Sequence, residues 1–398
     1  MSGTYEPLSE SAAGQLITRL GLFSKEDILE VEEIGDGNLN LVFRVTKTET
    51  NESYIVKQAL PYAKVVGESW PLTLKRATIE SQALRQFRDL TPGYVPNVYY
   101  SDETLAVTVM EDLSRLDVVR KGLISGKQYP LLPKHIGEFL GNVLFHTSDY
   151  AISPEAKKVL AAKYVNPELC KITEDLVFTD PFFNHDTNDF PEELLEDVQK
   201  IWGDQSLLVQ VAQLKKQFIT EQEALLHGDL HTGSIFANED TTQVIDPEFA
   251  FFGPIGFDIG QFFANLLLNY LSDVERSRRY LLDYVKETWE VFVNTYSTLW
   301  NTHQVDAFSK VEGVLPFILE KTFADTIGFC GCEIIRRTIG LAHVEDIDSI
   351  EPHRTQIAVK KEALQLGALL IKERKKIETI DQLVTIIQTN TKKKEQFV

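Results

Sequence analysis

The sequence predicts an α+β fold in two parts, a small antiparallel sheet followed by a larger, mostly helical body. Three observations carry this. Leu41, Phe43 and Val45 recur at alternate positions, Tyr54 to Ala59 reads as a second strand, and Thr50-Asn51-Glu52 between them reads as the turn of a hairpin. From about Pro130 onward, apolar residues recur at helical rather than alternating spacing. A chain of 398 residues that is 43% hydrophobic is long enough to bury the cores of two or three domains or lobes.

Taken in order, Ser9 to Leu20 reads as a helix with Leu16, Ile17 and Leu20 on one side. Glu30 to Ile34 leads into Gly35-Asp36-Gly37-Asn38-Leu39-Asn40, a glycine turn opening the hairpin. Such a turn brings backbone amides close to phosphates, although most are only turns. Lys57 stands on the second strand. Leu74 to Arg88 reads as a helix in which Glu80 shares a face with Ala83, Leu84 and Phe87. A carboxylate on a burying face needs a partner. Lys57 is the natural one, with a surface pair to Arg76 or Arg85 the alternative. Tyr94-Val95-Pro96 ends this helix, Leu105 to Met110 alternates as a strand, and Met110-Glu111-Asp112-Leu113 connects the two parts, giving expected units of 1–112 and 113–398.

Leu131 to Tyr150 carries Ile136, Phe139, Leu140, Val143 and Leu144 at helical spacing, with His135 and His146 reading as core or capping residues. Pro154 to Tyr164 and Pro191 to Thr220 are expected helices. The irregular segment 178–192 between them exposes Phe182 and Phe183 and is either a lid or a packed loop. Gly253 to Gly260 turns into an apolar helix that Asp258 is placed to cap. Helices are expected around Val274 to Thr298, Val305 to Gly331, Cys332 to Leu341 and Thr355 to Lys375.

The net charge of −19 argues against non-specific nucleic-acid binding, and it requires any anionic ligand to be met by local cations or metal. Cys170, Cys330 and Cys332 are too few and too poorly placed for a disulfide framework, so free buried thiols are expected. The opening MSGTYEPLSESAAG has neither a basic n-region nor an apolar h-region, and FFANLLLNYL is too short and too polar-flanked to span a bilayer. A cytoplasmic protein is the expectation.

The stretch from Leu225 to Phe252 carries the chemistry. Asp229 follows the apolar Leu225 and Leu226, placed to be held rigidly while facing solvent. Asp246 and Glu248 flank Pro247, and in extended chain residues two apart point to the same side, so both carboxylates could share one cation. One carboxylate to orient a hydroxyl and two to hold magnesium are the minimum equipment for phosphoryl transfer from a nucleotide. A solvated acidic loop is the bland alternative for Asp-Pro-Glu alone; the upstream His-Gly-Asp makes the pattern specific.

HGDLHTGSIF followed by IDPEFAFFGPIGFDIG resembles the catalytic and metal-binding segments of the methylthioribose kinases, within the kinase-like superfamily that includes choline and aminoglycoside phosphotransferases. The resemblance implies a bilobal, protein-kinase-like fold with a nucleotide-binding N-lobe and a helical C-lobe. It implies ATP-dependent phosphorylation of 5-methylthioribose at its anomeric hydroxyl, in methionine salvage, by a magnesium-dependent cytoplasmic homodimer. By the same resemblance Asp229 is catalytic and Asp246 and Glu248 hold Mg²⁺. Gly35, Gly37, Asn38, Asn40, Lys57 and Glu80 serve the nucleotide phosphates, and the backbone of Glu111, Asp112 and Leu113 serves the adenine. Asp258 braces the catalytic loop. Ser234 stands where many kinases place a metal-binding asparagine, and methylthioribose kinases share that departure. Arg336 and Arg337 match a twin-arginine motif that contacts sugar and γ-phosphate; read alone, adjacent helical arginines are as often surface charges. The alternatives are another small-molecule kinase (choline, aminoglycoside or homoserine) and a catalytically inactive binding protein.

Overall fold

Alternation and turn chemistry build the sheet. In the computed structural model, which describes residues 5–34, 39–63 and 67–391, β1 (Leu29–Glu33), β2 (Asn40–Lys47) and β3 (Ser53–Ala59) form an antiparallel meander with Phe43 opposite Val56 and Val45 opposite Tyr54. A short ladder of β4 (Tyr62–Ala63) and β5 (Gly67–Pro71) follows, then α2 (Lys75–Leu90), β6 (Val98–Asp102) and β7 (Val107–Glu111). The five-stranded sheet runs β1-β2-β3-β7-β6. Phe43, Val45, Val56, Val107 and Val109 pack with Ala13, Leu16 and Ile17 of α1 (Glu10–Arg19) in one small core. Ser9 caps α1, its side chain accepting from Ala12 N. β6 had no clear signal in the sequence, and β7 begins after Leu105 because Ala106 takes a left-handed φ of 49°.

The rest is helical: α3 (Val119–Ile124) after the two-residue β8 (Asp117–Val118), α4 (Leu132–His146), α5 (Pro154–Lys163), α6 (Pro167–Leu176), α7 (Leu195–Gly203) and α8 (Gln205–Thr220). After the central loop come α9 (Gly256–Ser272), α10 (Tyr280–His303), α11 (Val314–Ile339), α12 (Glu345–Asp348), α13 (His353–Glu373) and α14 (Ile380–Asn390). The helix expected from Pro191 to Thr220 is broken at Asp204, whose carboxylate caps α8 by accepting from Leu207 N at 3.0 Å. Phe182 is buried, not exposed; Phe183 alone of that pair faces out. The two helices expected between Val305 and Leu341 are one, α11. Gly331, where the expected helices divided, serves close packing: a Cβ there would sit 2.6 Å from the Gly367 carbonyl of α13. All three cysteines are free, with Cys330 and Cys332 buried. Among the described residues, no helix is long and apolar enough to cross a membrane.

Two short strands fix the central loop. β9 (Ala224–Leu226) pairs antiparallel with β12 (Phe251–Gly253), so the loop between them begins and ends on one ladder, while β10 (Ile235–Ala237) and β11 (Thr242–Val244) form a hairpin inside it. Leu225 and Leu226 are fully buried. Asp229 therefore leaves a clamped strand after three residues, and Glu248 enters its partner three residues before Phe251.

Candidate active site

His227-Gly228-Asp229 is shaped by its backbone partners. Asp258, in the first turn of α9, does not cap that helix; its two oxygens accept from His227 N at 2.6 Å and Gly228 N at 3.0 Å, bracing the loop. Gly228 adopts φ 85°, and a Cβ there would collide with the Phe249 carbonyl, so only glycine fits. His227 Nε2 donates to the Ile245 carbonyl at 2.8 Å while its Nδ1 accepts from Asp229 N at 3.3 Å. One imidazole thus joins the Asp229 loop to the residue before Asp246.

Four donors surround the Asp229 carboxylate. Arg336 Nη2 lies 3.4 Å and Arg337 Nη2 3.5 Å from Oδ1, Gln261 Nε2 is 3.4 Å from the same oxygen, and His231 Nε2 is 3.4 Å from Oδ2. These contacts are long, and the side chain remains 27% exposed, which leaves it accessible to a small acceptor. Burial would raise its pKa, but His231, Arg337 and Arg336 outweigh that and hold it well below the ordinary carboxylate value. His231 was not singled out in the sequence, although it stands two residues after Asp229. Its Nδ1 accepts from Gly233 N at 3.0 Å and Ser234 N at 3.1 Å, so the proton sits on Nε2, facing Asp229. Burial, with Arg120 and Arg337 nearby, lowers its pKa. The Ser234 hydroxyl is engaged in the same turn, accepting from His231 N and donating to the His231 carbonyl.

The twin arginines are not surface charges: both are buried. Their Nε atoms each donate to a separate oxygen of Glu333 at 2.7 Å. Glu333, fully buried one turn earlier, serves both and leaves their Nη2 atoms facing Asp229. Burial raises the Glu333 pKa and the two guanidinium groups more than reverse it. Two cations and two carboxylates leave this pocket wall close to neutral. Arg120 lies beside it, donating to Asn265 Oδ1 at 2.7 Å and 3.3 Å from Asp346.

Across the cleft, Lys57 Nζ lies 2.8 Å from Glu80 Oε1 and in contact with Asp246 Oδ1, so the expected partner of Glu80 is the one found. Burial alone would lower the Lys57 pKa; Asp246, Glu80 and Glu248 outweigh it and keep the ammonium charged. Asp246 does not lie in extended chain. Its φ is 69°, yet oxygens of Glu80, Asp246 and Glu248 still come within 4.8 Å of one another, a donor set of hard oxygens that fits magnesium. Glu248 Oε2 accepts from Arg76 Nη1 at 2.6 Å; Arg76, read in the sequence only as a surface partner for Glu80, is fully buried. Asn40 joins this group, its Nδ2 3.5 Å from Glu248 Oε2. Gly35, Gly37 and Asn38 lie outside the described residues. At the connection, Asp112 is taken up by Arg44 Nε (2.9 Å), Ser53 Oγ (2.7 Å) and Ser114 N (2.8 Å), and Glu111 by Asn97 Nδ2 (2.9 Å) and Arg115 Nη2 (3.0 Å), while the Leu113 side chain is buried.

Residues 30–290 match the model of the phosphotransferase enzyme family. The chain is 59% identical over 379 residues, 95% of each sequence, to a methylthioribose kinase of Geobacillus sp. (strain WCH70). It is 56% identical over 384 residues to that of Bacillus cereus (strain 03BB102), covering 96% of this chain and 97% of the relative. Among solved structures, Plasmodium vivax ethanolamine kinase aligns over 89% of this chain and 86% of its own at 14% identity, with a TM-score of 0.49.

Proposed function

The chain belongs to the phosphotransferase enzyme family and, within it, to the methylthioribose kinases, and on that premise we propose that it transfers the γ-phosphoryl group of ATP to the anomeric hydroxyl of 5-methylthioribose, giving the 1-phosphate for methionine salvage. The observation that carries the residue assignment is the convergence of Arg336, Arg337 and His231 on one ionised carboxylate, Asp229, that is still open to solvent.

In this reading Asp229 orients the sugar hydroxyl. The hydroxyl oxygen forms the new bond to the γ-phosphorus as the bond from phosphorus to the β–γ bridging oxygen breaks and ADP leaves, and the hydroxyl proton passes to Asp229. A carboxylate held this far below its ordinary pKa is a weak base, which suits a loose transition state in which that proton moves late. Arg336 and Arg337, anchored by Glu333, turn their Nη donors toward the acceptor and the charge developing on the phosphoryl oxygens. Lys57, held by Glu80, steadies the α- and β-phosphates with Asn40 beside them, and the backbone of Glu111 to Leu113 serves the adenine. Asp246 and Glu248 would hold magnesium, which would supply positive charge to offset that of the phosphates. The same reading divides the chain at the 112–113 connection and takes the enzyme to be a cytoplasmic homodimer. A near-neutral wall presenting guanidinium groups suits a neutral sugar; a quaternary ammonium or polyamine acceptor would meet cations.

An ADP-release screen over methylthioribose, ribose, choline and homoserine tests the assignment. Turnover concentrated on methylthioribose, with a 1-phosphate product, is expected. Turnover of choline or homoserine with none of methylthioribose would overturn it.

A further inference from the structure

Arg76 lies on α2 one turn before Glu80, and its side chain has no exposure. Nη1 donates to Asn40 Oδ1 and to Glu248 Oε2, each at 2.6 Å. Nη2 donates to the Leu60 carbonyl at 2.9 Å and to the Leu39 carbonyl. Nε is buried without a hydrogen-bond partner. One guanidinium therefore gathers Leu39 and Asn40, the residue that follows β3, and a carboxylate of the Asp-Pro-Glu motif. Burying such a charge costs more than packing an apolar side chain of similar volume, so stability alone would favour a methionine here. What an apolar side chain lacks is the planar fork that holds several acceptors in fixed relation.

We propose that Arg76 is a positioning residue that couples the magnesium carboxylate Glu248 to Leu39 and Asn40 at the start of β2. It engages Oε2 of Glu248, leaves Oε1 for the metal, and passes the position of that carboxylate to Leu39 and Asn40. The proposal rests on the phosphotransfer reading above and adds to it a link between two ligands. Coupling of this kind is reciprocal: magnesium strengthens nucleotide binding by the same factor as nucleotide strengthens magnesium binding.

The measurement is the dissociation constant of a non-hydrolysable ATP analogue, in EDTA and in saturating magnesium, by calorimetry. In wild type the ratio of the two constants is large. In Arg76→Lys and in Asn40→Ala that ratio falls by about fivefold or more, while in Arg76→Lys affinity in EDTA stays close to wild type. Adding Arg76→Lys to Glu248→Gln lowers the ratio no further than Glu248→Gln alone. An arginine that merely supports the fold would lower Tm and weaken both affinities alike, and an unchanged ratio in the variants overturns the coupling. Where Arg76→Lys does not fold, Asn40→Ala decides, since it removes one link and keeps the guanidinium. A wild-type chain with no magnesium-dependent nucleotide binding would overturn the phosphotransfer reading as well; a large wild-type ratio that the variants retain overturns only the role of Arg76.

Discussion

Asp229 is an anion whose neighbours are all donors, and that sets what its substitution should do. Asp229→Asn keeps the shape and the Gln261 contact but removes the charge, so nucleotide affinity should hold while kcat falls by about 10²–10⁴-fold. Single-turnover kinetics checks this, and near-normal turnover would remove Asp229 from the chemistry. The pH dependence follows from the sign of its shift. A carboxylate whose pKa is lower in the folded chain contributes stability that is complete above its unfolded value and is lost only as pH falls through the folded one. Asp229 therefore stays ionised across the neutral range, and kcat/KM should show no acid limb with a midpoint between about pH 5 and 7 from this group. Arg336 and Arg337 give a second test at this scale. A lysine ammonium cannot hold Glu333 and face Asp229 together, so each Arg→Lys change should cost kcat/KM for methylthioribose on the order of 2–4 kcal/mol, with nucleotide binding unaltered. Wild-type values would sink the substrate site. Asp229 stood out from its own short, chemically dense motif, whereas Arg336 and Arg337 stood out only through the family resemblance. Neither signal revealed that Glu333 serves both arginines, since a shared partner depends on rotamers rather than spacing.

At the level of elements, the catalytic loop is rigid because separate devices hold it: the β9–β12 ladder at its ends, Asp258 from beneath, and His227 across to Ile245. Asp258 is the most informative to alter. Its two oxygens each accept one backbone N–H. Asparagine offers one oxygen and turns its amide donor toward the other N–H, leaving that group unsatisfied at a cost of about 1–3 kcal/mol. Asp258→Asn should lower Tm and reduce kcat with little change in nucleotide affinity; a fall in Tm with kcat intact would make the brace purely structural. Strand alternation and helical periodicity brought out the β2–β3 hairpin, α2 and α4, where burial on one face writes the pattern. They failed where one residue decides. Asp204 ends a helix and caps the next within a continuous periodic run, and the division expected after Gly331 is absent because α11 runs on through it, packed against Gly367. Phe182 looked like loop surface because nothing in an irregular segment marks which aromatic turns inward.

Across the whole molecule, the sheet and the helical body meet through charged groups distant in sequence: Lys57 with Asp246, and Arg76 with Glu248 172 residues away. No local pattern reports such pairs, which is why Arg76 passed for a surface charge. The two carboxylates of the Asp-Pro-Glu motif should then separate in a single experiment. The Asp246 side chain is 42% exposed, whereas that of Glu248 is 5% exposed and balances the buried Arg76. Without ligand, Asp246→Asn should change Tm little, while Glu248→Gln, which weakens a charged hydrogen bond inside the fold, should cost stability on the order of 1–3 kcal/mol. With ligand the order reverses. A nucleotide that binds only the folded chain stabilises it by about 2.7 kcal/mol at a hundredfold excess over Kd, and in wild type most of that gain should need magnesium. Asp246→Asn should lose the magnesium-dependent part, because the remaining amide oxygen is neutral and the Lys57 contact no longer opposes a full charge. Glu248→Gln should keep more of it, since its role is divided between metal and Arg76. Thermal melts of both variants with ATP, with and without magnesium, read these differences directly. Equal ligand-free Tm values, or a larger loss of the magnesium increment in Glu248→Gln than in Asp246→Asn, would mean that Glu248 is first a metal ligand and only incidentally the tie between the two halves of the chain.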